Sequence, residues 1–212
     1  AGVILLNRIS EEALDQIRVI APLVQCCEYN EHADYPYVSI DDSRAAELAT
    51  EYLLSNGGSK IALINGPGNF KYARRRQEGF MNALRKAEVM IPKQWIVQLP
   101  EVSYEMAYAA VCRLLNSDSR PNAFFTISDV FAAAVIRAAK RFRLHVPRDI
   151  LVVGFDNIEL SSMTSPSITT VNQPKFQMGY TACEMLLELM EDPHGEMKSL
   201  LLDTELVIRE ST

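Results

Sequence analysis

Apolar runs of strand length alternate with amphipathic stretches of helix length along most of the chain. Short apolar or β-branched runs bounded by turn-forming residues are typical of strands buried in a parallel sheet. The alternation therefore predicts an α/β protein with parallel sheets that carry helices on both faces. The predicted strands are Val3–Leu6, Leu23–Cys27, Tyr37–Ile40, Lys60–Asn65, Trp95–Leu99, Ala123–Ile127, Ile150–Phe155, Ile168–Val171 and Leu200–Ile208.

The predicted helices carry recognisable start and stop signals. Ser10 can cap a helix that has Glu11 and Glu12 in its first turn, because a serine hydroxyl accepts from the unpaired N–H groups of a helix start. A helix from about Ser43 ends at Gly57-Gly58. Further helices are predicted after Gly66-Pro67-Gly68, over Ser103–Leu115, over Asp129–Phe142 and from Pro174 to near Glu191, and the clearest surface loop is Asp192–Lys198.

Charge and hydropathy limit the classes of partner. The 212 residues carry a formal net charge of −6, with a sequence pI of about 5.2. A protein that binds nucleic acid directly needs clustered Lys and Arg, so we expect no direct nucleic-acid contact from this chain. No run approaches the roughly 18 apolar residues that span a bilayer, so no membrane partner is expected.

The cysteines and histidines give no sign of a metal site or a cofactor. The cysteines lack C-x-x-C spacing and the histidines are scattered, so we expect no metal, no cofactor and no disulfide framework. Free thiols are ordinary in a reducing cytoplasm, which is the predicted location. These residues are Cys26, Cys27, Cys112, Cys183, His32, His145 and His194.

Polar side chains follow nearly every predicted strand. Because ligands bind outside the carboxyl ends of strands in open parallel sheets, these residues predict the rim of a binding cleft. The alternative is that Asp, Asn and Ser are common in turns and helix caps. The residues are Asn7-Arg8, Glu28-Tyr29-Asn30, Asp41-Asp42, Asn65-Gly66, Ser128-Asp129 and Asp156-Asn157.

Asp156 and Arg76 are the sharpest candidates for ligand contacts. Asp156 follows the run that ends at Phe155, and a carboxylate there can accept from two neighbouring hydroxyls of a sugar or ribose. Arg76 can make a forked contact with a ligand oxygen. Phe70 and Tyr72 lie in the preceding loop, where they either stack on a flat ligand or pack in the core.

The chain lacks the common catalytic motifs. It contains no Gly-x-Ser-x-Gly, no G-x-x-x-x-G-K-[ST], no His-Glu-x-x-His and no G-x-G-x-x-G after a strand. No paired nucleophile and base can be identified, so a non-enzymatic function is favoured.

Several segments, in order, resemble the LacI/GalR family of bacterial transcription repressors, and the resemblance covers essentially the whole chain. It rests on Tyr37–Asp42, Tyr-Leu-Leu-Ser-Asn-Gly (52–57), Lys-Ile-Ala-Leu-Ile-Asn-Gly-Pro (60–67), Arg-x-x-Gly-Phe (76–80), Ser-Asp-Val-Phe-Ala (128–132), Val-Pro-Arg-Asp-Ile (146–150), Val-Gly-Phe-Asp-Asn (153–157) and Ser-Ile-Thr-Thr-Val-x-Gln-Pro (167–174).

The resemblance implies two α/β lobes like those of periplasmic binding proteins, joined by three crossovers, with an effector bound between them. The crossovers are expected near Gly57, near Asn172–Pro174 and around Glu196–Ser199. Residues 1–56 with 174–196 would form the first lobe, and residues 58–172 with 197–212 the second. A member of the family also has an upstream DNA-binding headpiece, so we expect the first lobe to be truncated at its N-terminus here.

The resemblance also implies effector contacts. They fall on Arg76, on Ser128 or Asp129 and on Asp156, with Phe70 and Tyr72 in a loop that varies with the ligand; the candidate set also includes Asp41 and Gln173. Many members have a stacking aromatic where this chain has Val102, so either Tyr104 or Phe70 replaces it or the ligand is held differently.

Within the family, three segments most resemble the subgroup that responds to cytidine, and they imply a nucleoside effector. They are Glu28-Tyr29-Asn30, Gly-Phe-Asp-Asn-Ile-Glu-Leu (154–160) and Thr-Glu-Leu-Val-Ile-Arg-Glu-Ser-Thr (204–212). The family further implies operator DNA as a partner of the headpiece, and the subgroup a contact with a second regulator protein. The rival interpretation is a periplasmic sugar-binding protein of a transporter, which has nearly the same fold.

One stretch indicates a homodimer independently of the family. Val130–Ile136 is apolar around its whole circumference, more than a helix with one covered face requires. Either a second subunit covers the outer face or the helix is completely buried. The candidate interface residues are Val130, Phe131, Ala133, Ala134, Leu160 and Met163.

Overall fold

The computed structural model describes residues 1–192 and 198–212, which form two compact units. The first unit contains Ala1–Asp41 and Gln173–Thr204, and the second unit contains Asp42–Asn172 and Glu205–Thr212. No helix in these described ranges is long and apolar enough to cross a membrane.

Strands and helices alternate as the hydrophobic pattern predicts. The strands are β1 (Val3–Leu5), β2 (Leu23–Cys26), β3 (Tyr37–Ile40), β4 (Ile61–Asn65), β5 (Ile96–Gln98), β6 (Ala123–Thr126), β7 (Leu151–Asp156), β8 (Thr169–Asn172), β9 (Leu200–Leu202) and β10 (Glu205–Val207). The helices are α1 (Glu11–Ile20), α2 (Asp42–Ser55), α3 (Lys71–Lys86), α4 (Tyr104–Leu115), α5 (Asp129–Arg141), α6 (Leu160–Met163) and α7 (Lys175–Glu191), with a 3-10 turn at Lys93–Trp95.

The first unit has a four-stranded sheet in the order β1-β2-β3-β9, and all its strand pairs are parallel. Helix α1 begins where expected, because Ser10 Oγ accepts from the N–H of Ala13. Leu14 on α1 packs with Leu23 and Tyr35 in the unit's small hydrophobic core. None of the four cysteines, all of which lie in described parts of the two units, is in a disulfide.

The second unit has a six-stranded sheet in the order β10-β8-β7-β6-β4-β5. Its pairs are parallel except that β10 runs antiparallel to β8. The middle strands β4, β6 and β7 are almost continuously buried. Their carboxyl ends therefore lie at one edge of the sheet, where ligands bind in folds of this class.

The single closing strand predicted over Leu200–Ile208 is wrong, because the structure divides it into two strands in different sheets. Strand β9 pairs with β3 in the first unit, whereas β10 pairs with β8 in the second. The chain passes from one unit to the other after Thr204. An apolar run cannot reveal which neighbour each of its residues pairs with.

Two of the expected lobe boundaries also differ from the structure. The first crossover lies between Asp41 and Asp42, not near Gly57, because α2 packs against α3 of the second unit. The expected boundary between residues 196 and 197 lies outside the described residues. Residues 198–204 belong with the first unit, where β9 completes the sheet.

Helices α2 and α3 approach unusually closely at Gly79. A Cβ atom at this position would lie 1.9 Å from the carbonyl oxygen of Ser43. No side chain fits in that space, so a backbone shift would be needed for any other residue.

Gly79→Ala is expected to lower the free energy of unfolding by about 1–3 kcal/mol, since overpacking forces backbone shifts. Gly179→Ala is the matched control, because nothing lies within 4 Å of a Cβ there on α7. The control is expected to raise stability by about 0.5–1 kcal/mol, as Ala is the better helix former. Urea unfolding followed by circular dichroism distinguishes them, and equal effects would contradict the close packing.

Candidate ligand-binding site of the second unit

Arg76 lies buried at the carboxyl edge of the second unit's sheet. Its Nε donates to Oδ1 of Asp42 at 2.9 Å, and its Nη1 donates to the carbonyl oxygen of Ile127 at 2.7 Å. The guanidinium carbon lies 3.5 Å from the centroid of the Phe155 ring. These contacts hold the guanidinium in one plane, as a forked ligand contact requires.

Asp42 is the buried anion that fixes this arrangement. It begins α2, and its second oxygen, Oδ2, accepts from Nζ of Lys71 at 2.8 Å. Burial alone opposes charge on Asp42, but Arg76 and Lys71 outweigh burial and hold the pKa of the Asp42 carboxyl below its usual value. The three side chains therefore form a buried ionic cluster centred on the Asp42 carboxylate.

Asp156 meets this cluster from the end of β7. Its Oδ1 accepts from Nη1 of Arg76 at 3.5 Å, and 30% of its side chain is exposed. Asp156 has φ +99° and Asn157 has φ +48°. Asp and Asn are the residue types other than glycine that adopt left-handed backbone most readily, because their short polar side chains can hydrogen-bond locally.

Arg76 keeps donors available for a ligand. Its Nη2 makes no hydrogen bond within residues 1–192 and 198–212, and it is not among the fully buried side-chain atoms there that lack a partner. Both N–H groups of Nη2 are therefore spare donors.

Two stacked aromatic rings lie beside the guanidinium. Phe70 and Tyr72 have ring centroids 5.3 Å apart at an interplanar angle of 17°, and both are half-buried. The Tyr72 ring centroid lies 5.1 Å from the guanidinium carbon of Arg76. Tyr104 instead lies against Arg137 on the second unit's surface, at 6.0 Å.

Asp129 supports the site from inside and does not line it. The expected ligand contact at Asp129 is therefore wrong for this structure. Its side chain is completely buried; Oδ1 accepts from the Thr170 hydroxyl at 2.6 Å and Oδ2 from the N–H of Ile158 at 2.8 Å. Burial raises the pKa of Asp129 to about 6, although the bonds from Thr170 and Ile158 act the other way. A Cβ at Gly154 would lie 2.3 Å from Oδ1, so only glycine fits there.

Ser128 caps a helix, as the alternative interpretation of the polar residues after the strands predicts. Its hydroxyl caps α5 by accepting from the N–H of Phe131 at 3.4 Å. Asn65 likewise serves its own strand end, because Oδ1 accepts from the N–H of Gly66 and Nδ2 donates to the Ala73 carbonyl. For these two strand ends the ordinary turn and cap functions account for the residue types.

The expected ligand contact of Asp41 stays a prediction. Asp41 is exposed and belongs to the first unit, whereas its neighbour Asp42 is buried and contacts Arg76. Gln173 also belongs to the first unit, and its carbonyl accepts from the N–H of Lys175. The sequence pattern placed Asp42 on the rim of a cleft without indicating its contact with Arg76, and it gave no sign of Lys71 beyond the position of that residue near the start of a helix.

The candidate dimer residues fall into two groups. Phe131 and Ala134 are completely buried within the second unit, so they cannot contact a second subunit, and that part of the expectation is wrong. The remaining residues reach the surface, with Met163 72% exposed. They are Val130, Ala133, Leu160 and Met163.

Comparisons with known proteins agree on one family. A family model described as a periplasmic binding protein-like domain matches residues 50–212. The chain is 35% identical to the HTH-type transcriptional repressor CytR of Escherichia coli (strain K12), over 95% of this chain and 59% of that protein. It is 31% identical to the HTH-type transcriptional repressor PurR of Vibrio vulnificus (strain CMCP6), over 96% of this chain and 69% of that protein.

A solved structure extends the comparison. The LacI family transcriptional regulator from Enterococcus faecium, with bound ribose, superimposes with a TM-score of 0.84 at 28% identity, over 96% of this chain and 76% of that chain. The chain spans 59% of the length of CytR, so these similarities concern one part of a longer regulator.

Asp129→Asn tests the burial of this carboxyl. Because its folded-state pKa is raised to about 6, the folded protein binds more protons than the unfolded chain between about pH 4 and pH 6. The stability contributed by Asp129 is therefore largest at low pH and declines as pH rises through this window. The free energy of unfolding of wild type minus that of the variant should fall by about 2–3 kcal/mol from pH 4 to pH 7. Urea titrations across this range measure it; a constant difference would contradict the burial.

Proposed function

The chain belongs to the LacI/GalR family of periplasmic-binding-protein-like regulators, and we propose that its second unit binds a nucleoside effector such as cytidine through the ribose. The single observation that supports this most is the meeting of Arg76 and Asp156 at the carboxyl edge of one sheet. A buried cation with spare donors faces a partly exposed carboxylate there.

The distance between these groups suits a hydroxyl ligand. Nη1 of Arg76 and Oδ1 of Asp156 are 3.5 Å apart, longer than the roughly 2.7–2.9 Å of a strong charge-assisted hydrogen bond. A hydroxyl both donates and accepts, so it can donate to the carboxylate while accepting from the guanidinium. Two adjacent ribose hydroxyls would satisfy Asp156 and Nη2 of Arg76 together.

The aromatic pair supports a nucleoside over a free sugar. Phe70 and Tyr72 lie next to Arg76 and could stack on a flat base attached to the ribose. The Enterococcus faecium regulator, similar over nearly the whole chain, was solved with ribose bound. The base itself is assigned from the resemblance to the cytidine-responsive subgroup.

In the full-length protein, the effector would act by linkage. A ligand shifts an equilibrium between two conformations only by its difference in affinity for them. We propose that the conformation favoured by the nucleoside differs in operator affinity, or in affinity for a second regulator protein, and that the parent protein acts in the cytoplasm. The relatives are named transcriptional repressors, which favours this function over an enzyme or a transport protein.

We further propose that the second unit forms a homodimer through the surface of Val130, Ala133, Leu160 and Met163. Met163 is 72% exposed and Ile158, two residues before Leu160, is also exposed. Large exposed apolar side chains grouped beside a half-buried helix face indicate contact with another protein surface.

Cytidine is expected to raise the Tm of the full-length protein. At about 100 times its Kd, a ligand stabilises the folded state by about 2.7 kcal/mol, which corresponds to a shift of roughly 5–10 °C for a chain of this size. Asp156→Ala should abolish the shift, because the hydroxyls lose their acceptor. Differential scanning fluorimetry measures both.

Asp118→Ala is the control for that comparison, since Asp118 is an exposed acid in the loop before β6. It should keep the shift intact. A shift with a hexose or a purine but with no pyrimidine nucleoside would overturn the choice of effector, and an undiminished shift in Asp156→Ala would overturn the site.

Met163→Glu is expected to weaken the dimer, because it places a charge in an apolar contact. The dimer Kd should rise at least about ten-fold, roughly 1.4 kcal/mol. Met90→Glu is the control, as Met90 is 95% exposed in the loop after α3. Analytical ultracentrifugation measures both, and equal Kd values would exclude this surface as the interface.

A further inference from the structure

The C-terminal segment Arg209–Thr212 is fixed to the second unit's sheet. The Ser211 hydroxyl donates to the carbonyl of Val152 on β7 at 2.6 Å and accepts from the N–H of Thr169 on β8 at 2.8 Å. The N–H of Val152 in turn donates to the carbonyl of Ser211 at 2.9 Å. The Arg209 backbone is held separately from Ser211, because its N–H donates to Oγ1 of Thr169 at 2.9 Å.

The Arg209 guanidinium reaches the turn that follows β7. Nη2 donates to Oδ1 of Asn157 at 2.7 Å, while Nη1 donates to Oγ of Ser161 at 2.9 Å and to the carbonyl of Ile168 at 2.8 Å. All three acceptors are neutral. Arginine is needed here for its planar fork of donors and not for its charge. A lysine ammonium cannot match that geometry.

Asn157 is held on its other sides by β8. Its N–H donates to Oγ1 of Thr170 at 3.3 Å, and its Nδ2 donates to Oδ1 of Asn172 at 3.0 Å. Asn157 and Asp156 are consecutive residues with positive φ, and the Asn157 side chain is hydrogen-bonded on both its amide atoms. Oδ1 of Asn157 accepts from Arg209 at 2.7 Å and also from Oγ of Ser161 at 3.3 Å, and Nη1 of Arg209 donates to that same Ser161 hydroxyl.

We propose that Arg209 is a positioning residue for Asp156, an inference that rests on the proposed function in assigning the ligand hydroxyls to Asp156. Arg209 does not touch the ligand. It locks the Asn157 amide, and the locked amide maintains the left-handed turn that points the Asp156 carboxylate toward Arg76. Without the guanidinium the turn relaxes, and the carboxylate leaves the position in which a hydroxyl can bridge it to Arg76.

Three full-length variants test this proposal. Arg209→Met removes the donors but keeps the stem, and Arg209→Lys keeps the charge but loses the fork. Ser211→Ala is the matched control, since it loosens the same segment from β7 and β8 without a bond to Asn157. The readouts are the Kd for cytidine by calorimetry, the free energy of unfolding, and the exchange rates of the Asn157 and Ile158 amide protons.

Both Arg209 variants are expected to raise the Kd at least about ten-fold (roughly 1.4 kcal/mol) and to speed exchange at Asn157 and Ile158. Ser211→Ala should lower stability while its Kd stays within about two-fold of wild type, roughly 0.4 kcal/mol. If the Kd rises in proportion to the loss in free energy of unfolding in all three variants, Arg209 has only a structural role and the inference is wrong. If Arg209→Met fails to fold, the comparison of Arg209→Lys with Ser211→Ala decides.

Wild-type protein that binds no nucleoside or sugar would refute the proposed function. The exchange rates then decide the positioning role alone. Faster exchange at Asn157 in the Arg209 variants than in Ser211→Ala supports it, and equal rates overturn it.

Discussion

The second unit's site depends on one buried carboxylate, Asp42, held between Arg76 and Lys71. A charge out of water is stable only when its partners replace hydration, and removing one partner of such a pair typically costs about 3–5 kcal/mol. Each member therefore fixes the others. Asp42 begins α2 while Arg76 and Lys71 lie on α3, so the same ionic cluster that orients the Arg76 guanidinium also sets the two helices against each other. Gly79 permits the close approach that this requires.

The site has two halves with separate supports. Arg76 is held by α2, the Ile127 carbonyl and the Phe155 ring, whereas the turn bearing Asp156 is held by Asp129, Thr170 and Arg209. The second set comes from α5, β8 and the C-terminal segment, which lie far apart in sequence. Such a frame holds the polar groups in place, so little ordering would oppose binding of the proposed ligand.

Local patterns predicted the elements well, because the 3.6-residue and two-residue periods are properties of single segments. Arg76 and Asp156 were candidates on local signals, a helix after Gly66-Pro67-Gly68 and the end of a strand; the structure brings them together, and their ligand contacts stay predictions. The contact between Asp42 and Arg76 could not be predicted, since only the exact start of α2 decides which of two adjacent carboxylates turns inward. Asp129 has the same sequence signature as a rim residue, and only the position of Thr170 on a neighbouring strand shows that it is internal. Pairing between distant strands, as in the division between β9 and β10, leaves no local trace.

The charges of the site bear on which ribose compound it would accept. Arg76 and Lys71 carry two positive charges, and Asp42 and Asp156, which they contact, carry two negative charges, so the cluster is neutral overall. A phosphate that approached Arg76 would be attracted only weakly, because two carboxylates already offset the charge of this cation. It would also be repelled by the partly exposed carboxylate of Asp156. A neutral hydroxyl avoids this repulsion and uses both groups at once. These charges favour the proposed nucleoside over a nucleotide, because no unpaired positive charge would offset the free-energy cost of removing water from a doubly charged phosphate.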